Sequence, residues 1–302
     1  MPVAEPACRV VAVVGPTATG KSDLGVTLAQ ALGGEVVNAD SMQLYRGMDI
    51  GTAKLTMAER QGVPHHLLDI WEVTETASVA DYQRRARAVL DGLLARGRVP
   101  ILVGGSGLYV RAVLDALEFP GTDPAVRDRL ERELTEAGAP ALHRRLVLVD
   151  PDAAERILPG NGRRIVRALE VVELTGRPFT ATLPGHESVY DAVQLALDRT
   201  DLDDRVDLRV ELMWHRGLVE EVRALERAGL RHGVTASRAL GYRQLLTALA
   251  GERTLDEALA GTQQATRRFV RRQRSWFRRD PRLVWLDGAA PDLADQALRA
   301  IG

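Results

Sequence analysis

Residues 15–22 read Gly-Pro-Thr-Ala-Thr-Gly-Lys-Ser, directly after the apolar run Val10–Val14 and directly before a helix-like stretch, Lys21 to Leu32. A strand that feeds a glycine-rich loop and then a helix brings backbone N–H groups and a helix N-terminus to one point, which is an anion cradle. The same order of elements constrains the fold. A helix between strands returns the chain to pair in parallel, and a parallel sheet is buried on both faces. In such a loop, Gly15, Pro16, Thr17, Ala18, Thr19 and Gly20 surround the phosphates, Lys21 adds a cation, and the Ser22 hydroxyl ligates Mg²⁺. The chain is therefore expected to bind a diphosphate or triphosphate; the loop alone does not choose between them.

All but two of the 40 basic residues are arginine; the exceptions are Lys21 and Lys54. A compact ammonium fits a phosphate cradle where a planar guanidinium does not. Lys54, in Gly51-Thr52-Ala53-Lys54, is either kept for a similar reason or is a solvated loop lysine.

Further strands are predicted at Glu35–Ala39, Val99–Val103, Gln194–Leu197 and Leu283–Leu286. Ser78 is placed to cap a helix that runs through Ala95. This alternation predicts an α/β fold: a parallel sheet built on the phosphate-binding loop and flanked by helices. Between Thr122 and about Thr182 the pattern is helical only, with starts at Asp123-Pro124, Asp150-Pro151 and Gly160-Asn161-Gly162 and a break at Gly138-Ala139-Pro140. The domain division expected is a core of residues 1–121 and 192–302 with an all-helical insertion of residues 122–191. A long helix is predicted from Thr254 to Arg278.

With 302 residues, 45% of them hydrophobic, and a net charge of −1, the chain can bury a sizeable core. No apolar run approaches the ~18 residues of a membrane span, and no signal peptide is evident, so no membrane partner is expected. A single cysteine, Cys8, excludes an intrachain disulfide and a cysteine-based zinc site. The expectation is a cytoplasmic monomer. Residues 267–280 carry seven arginines against one aspartate. Within them Arg267, Arg271, Arg274 and Arg278 share one helix face, and that concentration points to an RNA backbone.

Asp40 ends the second strand, at the edge where ligands of open α/β sheets bind. It reads as a base or orienting group for a second substrate. A Mg²⁺-binding aspartate is the alternative, although only 18 residues separate it from Ser22. Gly104-Gly105-Ser106-Gly107 is a second glycine-rich turn at that edge, with Ser106 offering a hydroxyl. His65-His66 reads as structural, because neighbours in a strand face opposite ways.

Taken together, the segments GPTATGKS, NADSMQLYRGMDIGTAK, VPHHLLDI, PILVGGSGLYVRAV, NGRRIVRALEV, SRALGYRQL and TQQATRRFVRRQRSWFRRD resemble the bacterial tRNA dimethylallyltransferase (tRNA isopentenyl-diphosphate transferase) family. The resemblance extends from residue 10 to residue 280. It implies transfer of a dimethylallyl group from dimethylallyl diphosphate to the exocyclic N6 amine of the adenosine 3′ to the anticodon, in tRNAs reading codons that begin with U. It implies that Lys21, Asp40 and Ser106 are catalytic, with Arg205 and Arg209 beside the diphosphate. It also implies that tRNA touches Asp40, Ser41, Met42, Gln43, Ser106, Arg127, Arg163, Arg164 and Arg167, besides the Arg271, Arg274 and Arg278 face. The family usually carries threonine where Ser106 stands; the hydroxyl is kept. Eukaryotic relatives carry a C-terminal zinc finger, which this chain cannot form. Three other readings are a small-molecule kinase on the same loop, a prenyltransferase acting on free adenine nucleotide, and a non-catalytic RNA-binding module.

Overall fold

The structure, a computed structural model, describes residues 9–179 and 185–302. Cys8 and the end of the expected helical stretch near Thr182 lie outside the described residues. The chain forms two compact units, Met1–Asp115 with Ser188–Gly302 and Ala116–Glu187. The seams fall a few residues from the boundaries read in the sequence. An antiparallel bridge between Asp115 and Ser188, and the Val189 N–H donated to the Leu114 carbonyl, draw both crossings into the larger unit.

The larger unit is built on β1 (Val10–Val14), β2 (Glu35–Asn38), β3 (His65–His66), β4 (Pro100–Gly104), β5 (Ala192–Asp198) and β6 (Val284–Asp287). They form one parallel sheet in the order β3-β2-β4-β1-β5-β6. β1 lies between β4 and β5, with Val13 opposite both Val103 and Leu195. All five of its residues are buried, as a strand covered on both faces requires. The alternation divides them. Val11 and Val13 pack with Leu24, Leu28 and Ile101, whereas Ala12 and Val14 pack with Leu102, Tyr82 and Leu90.

The chain's helices begin with α1 (Lys21–Leu32), α2 (Val79–Ala95) and α3 (Gly107–Leu114). The smaller unit contributes α4 (Pro124–Ala137), α5 (Ala139–Val149), α6 (Pro151–Arg156) and α7 (Gly162–Thr175). α8 (Leu202–His215), α9 (Leu218–Arg227), α10 (Tyr242–Leu249), α11 (Leu255–Phe277) and α12 (Leu293–Ile301) complete the larger unit. Their starts follow capping chemistry. Ser78 Oγ accepts the Asp81 N–H, Asp123 accepts from Ala125 and Val126, and Thr254 with Glu257 forms a reciprocal capping box.

The smaller unit is helical throughout its described elements and has its own core of Leu130, Leu142, Leu146, Ile157, Ile165 and Leu169. Its described residues hold four helices where three were expected. Gly138 breaks the chain, and Pro140, in the first turn of α5, restarts it at once. Among the described residues no helix is long and apolar enough to cross a membrane.

Candidate active site at the carboxyl edge of the sheet

β1 delivers the loop of residues 15–22 to the carboxyl edge of the sheet. Gly15 adopts φ 130°, and a Cβ there would lie 2.4 Å from the Leu197 carbonyl oxygen, so only glycine lets β1 turn beside β5. Ala18 holds a left-handed φ of 68°. That conformation is disfavoured for alanine by ~1–2 kcal/mol and is held in place from outside. The Arg205 Nε donates to the Ala18 carbonyl at 2.9 Å, and Arg209 donates to Thr17 Oγ1 at 3.2 Å. The two arginines lie four residues apart on α8, hence on one face. Thr19 Oγ1 donates to the Pro16 carbonyl at 2.9 Å, and Lys21 Nζ donates to the same oxygen.

The cradle concentrates positive charge where water is scarce. Burial, then the Arg209 guanidinium, brings the Lys21 pKa down to about 7, with Asp40 opposing. Burial and Arg205 likewise hold Arg209 below its usual value. An anion placed among these groups relieves both penalties. Among the described residues the Ser22 hydroxyl, at the second residue of α1, has no side-chain hydrogen-bond partner. Among the described residues no cluster of three or more His, Cys, Asp or Glu side chains is arranged to hold a metal. One hydroxyl beside bound phosphates fits Mg²⁺, which keeps most of its waters and takes few protein ligands.

Asp40 follows β2. Burial raises its carboxyl pKa, against the Met42 amide and the Lys21 charge, which both favour the anion. Its Oδ1 accepts the Met42 N–H at 2.9 Å, and its own N–H is held by Asn38 Oδ1 at 2.9 Å. Ser106, after β4, meets this segment: its Oγ accepts the Ser41 N–H at 3.1 Å and lies 3.2 Å from Ser41 Oγ. Asp40, Ser41 and Ser106 are therefore one polar wall, electrostatically coupled to Lys21 and Arg209. The Tyr82 and Tyr109 rings pack against each other, tilted by 48° with centroids 4.8 Å apart, and the Tyr82 hydroxyl donates to the Asn38 carbonyl at 2.8 Å.

Other residues singled out in the sequence stand apart from this wall. Gln43 spends its side-chain amide on the Thr52 carbonyl at 3.0 Å. Lys54 is neither solvated nor in the cradle: its side chain is 3% exposed and donates to Asp49 and Asp69, both at 2.6 Å, and to the Tyr45 carbonyl at 3.0 Å. His66 bonds Glu35 at 2.6 Å, a structural tie between β3 and β2.

In the smaller unit, Arg127 and Arg167 both engage the buried Glu170, and Arg167 also donates to the Pro120 and Gly121 carbonyls. Burial works against the Glu170 charge, yet these two guanidinium groups outweigh it and hold the carboxyl below its ordinary value. Arg163 and Arg164 are exposed.

The α11 arginines depart from expectation. The shared face is not an open row of cations: Arg267 pairs with Asp207, Arg271 with Asp203 at 3.7 Å, Arg274 with Asp198 at 2.8 Å and Arg278 with Asp198 at 3.5 Å. A different set gathers at a cleft of about 450 Å³ lined by Arg238, Arg243, Arg253, Arg268 and Arg272, with no acidic residue among its lining. Arg268 and Arg272 are four apart, and this second face was visible in the helix spacing. Gln273 was also missed; the one uncharged polar residue within Arg-Arg-Gln-Arg was its signal.

The IPP transferase family model matches residues 43–280. A tRNA dimethylallyltransferase of Streptomyces coelicolor is 71% identical over 97% of this chain and 94% of its own length, and one of Thermobifida fusca is 68% identical over 97% and 94%. Among solved structures, a tRNA isopentenylpyrophosphate transferase of Bacillus halodurans is 41% identical, with a TM-score of 0.71 over 97% of this chain and 94% of that one. A eukaryotic dimethylallyltransferase described as acting on tRNA is 26% identical, with a TM-score of 0.82 over 97% and 77%. The loop, the polar wall and these likenesses agree, and the chain belongs to the IPP transferase family.

Proposed function

We propose that the protein transfers a dimethylallyl group from dimethylallyl diphosphate to the exocyclic N6 amine of the adenosine 3′-adjacent to the anticodon in tRNAs reading UNN codons. The allylic C–O bond breaks, a C–N6 bond forms, one proton leaves N6, and diphosphate departs intact. The observation that carries this reading is the coupling of a cation-rich cradle to the half-buried Asp40 carboxyl at one sheet edge.

The loop amides with Lys21, Arg205 and Arg209 take the charge that grows on the leaving diphosphate, where stabilisation most lowers the barrier. Ser22 would hold Mg²⁺, which would supply neutralisation of the diphosphate charge. Asp40 orients the amine and accepts its proton, a task suited to a carboxyl whose basicity burial has raised. Ser106, tied to Ser41, stands beside the scissile bond. Asp40, Ser41 and Met42 form the acceptor side, and Gln43, its amide on the Thr52 carbonyl, stands beside it. An adenosine stacked among its neighbours cannot bring its N6 amine against a half-buried carboxyl, so the base leaves its stack to react. The acid-free arginine cleft supports a polyanionic acceptor, and Arg127, Arg163, Arg164 and Arg167 supply further cations to it. Arg271, Arg274 and Arg278 reach phosphates only by sharing them with Asp198 and Asp203. The enzyme works as a cytoplasmic monomer.

Diphosphate release is the direct test. With dimethylallyl diphosphate and Mg²⁺, release is expected with unmodified tRNA and absent with AMP. Release with AMP alone supports the free-nucleotide reading, and ATP turnover on a small acceptor supports a kinase.

A further inference from the structure

We infer that Gln273 is a positioning residue that sets the spacing between the diphosphate loop and the turn carrying Ser106. Its side chain lies on α11, is 6% exposed, and uses both ends of its amide. Oε1 accepts the Thr17 N–H at 3.0 Å, and Nε2 donates to the Gly105 carbonyl at 2.8 Å. One planar group thus spans the two glycine-rich segments that follow β1 and β4. The Thr17 amide belongs to the cradle but is spoken for from outside it, so the loop is shaped before any anion arrives.

The surroundings make this span stiff. A Cβ at Gly105 would lie 2.4 Å from Gln273 Nε2, and one at Gly107 would lie 2.1 Å from Trp276 Nε1. α11 therefore seats against the Ser106 turn at two points, and a side chain at Gly105 or Gly107 would have to displace Gln273 or Trp276 from it. On the other side of Gln273, Arg274 is fixed by Asp198 and the Arg199 carbonyl at the end of β5. Arg205 and Arg209 come from α8, the helix that α11 contacts through the Arg267–Asp207 pair. α11 is then the common backing of the loop, the turn and the α8 arginines. A misplacement of about 1 Å between reacting groups can cost about a hundredfold in rate, so one amide in this position carries weight.

This inference rests on the loop holding the diphosphate, and the test separates the two. Gln273→Glu keeps shape and volume. Ionised, the carboxylate accepts from Thr17 but opposes the Gly105 carbonyl; protonated, it accepts from one and donates to the other, as glutamine does. Gln273→Leu removes both bonds without adding charge.

Four quantities are read for wild type and both variants between pH 6 and 8.5: affinity for inorganic pyrophosphate with Mg²⁺, kcat of prenyl transfer, KM for tRNA, and the melting temperature. Gln273→Leu is expected to lose about tenfold in pyrophosphate affinity and more in kcat at every pH, with KM for tRNA little changed. Gln273→Glu should match that loss at pH 8.5 and recover several-fold, relative to wild type, towards pH 6. Wild-type affinity and kcat in Gln273→Leu would overturn the inference, because charge alone would then explain the glutamate variant. A Gln273→Glu deficit that does not change with pH would overturn it as well. Should Gln273→Leu fail to fold, the recovery of Gln273→Glu decides alone. Absence of prenyl transfer by the wild type would sink the functional reading, while the pyrophosphate measurements still judge Gln273.

Discussion

At Lys21, burial and the neighbouring Arg209 bring the ammonium down to about pH 7, whereas a bound diphosphate favours the charged form. Donor binding above that pH should therefore take up a proton. Pyrophosphate affinity is expected to fall by up to about tenfold per pH unit from pH 7 towards pH 9. Calorimetry in buffers of different ionisation enthalpy should show the uptake, and Lys21→Met should abolish it. The same shift bears on stability. The unfolded lysine binds a proton up to pH 10.5 and the folded one only to about 7, so this residue favours the fold more as pH rises between those values.

Asp40 predicts a different pattern. Asp40→Asn should lower kcat by about 10²–10⁴ while pyrophosphate binding persists, because the carboxyl is proposed to serve the amine and not the leaving group. Near-normal turnover would remove that role. Lys54 is a matter of stability. Three N–H donors meet three oxygens there, a geometry that a planar guanidinium cannot copy. Lys54→Arg is expected to cost about 2 kcal/mol, read as a drop of about 5 °C in melting temperature.

Elements differ in how plainly the chain announces them. β1, the loop and α1 were legible because the glycine-rich turn needs a strand before it and a helix after it. α2 and α11 were legible because Ser78 and Thr254 cap them by local chemistry. β3 was not, since two residues carry no periodicity and its pairing depends on β2. α5 hid behind a glycine and a proline that read as a break. Within α11 the spacing established which arginines share a face, but not which face is already paired. Asp198, Asp203 and Asp207 decide that, and they are distant in sequence. Gln273 was illegible for the same reason: its meaning lies in Thr17 and Gly105, each more than 150 residues away.

The two faces of α11 can be separated by experiment. Replacing Arg268 and Arg272 with glutamine should weaken tRNA binding and flatten its salt dependence by about one unit per lost phosphate contact. The same change at Arg271 and Arg274 should chiefly lower thermal stability, through the freed Asp198 and Asp203. An unchanged salt slope in the first pair would take the cleft off the RNA surface.

Across the whole molecule, residues from five places in the chain gather at one edge of the sheet: the loop of residues 15–22, the Asp40 segment, the Ser106 turn, α8 and α11. The helical unit is folded around a separate core and carries its own arginines. That division suits a reaction with a small anionic donor and a large polyanionic acceptor. On the function proposed above, the phosphates that the loop holds are those of a leaving group, and Lys21 steadies a departing diphosphate instead of passing on a phosphoryl group. The most direct test of that claim is nucleoside mass analysis of an unmodified tRNA after incubation with the protein, dimethylallyl diphosphate and Mg²⁺. The account predicts one five-carbon unit on the adenosine 3′ to the anticodon, present with wild type and absent with Asp40→Ala. Unmodified nucleosides from an enzyme that still binds pyrophosphate and tRNA would contradict it.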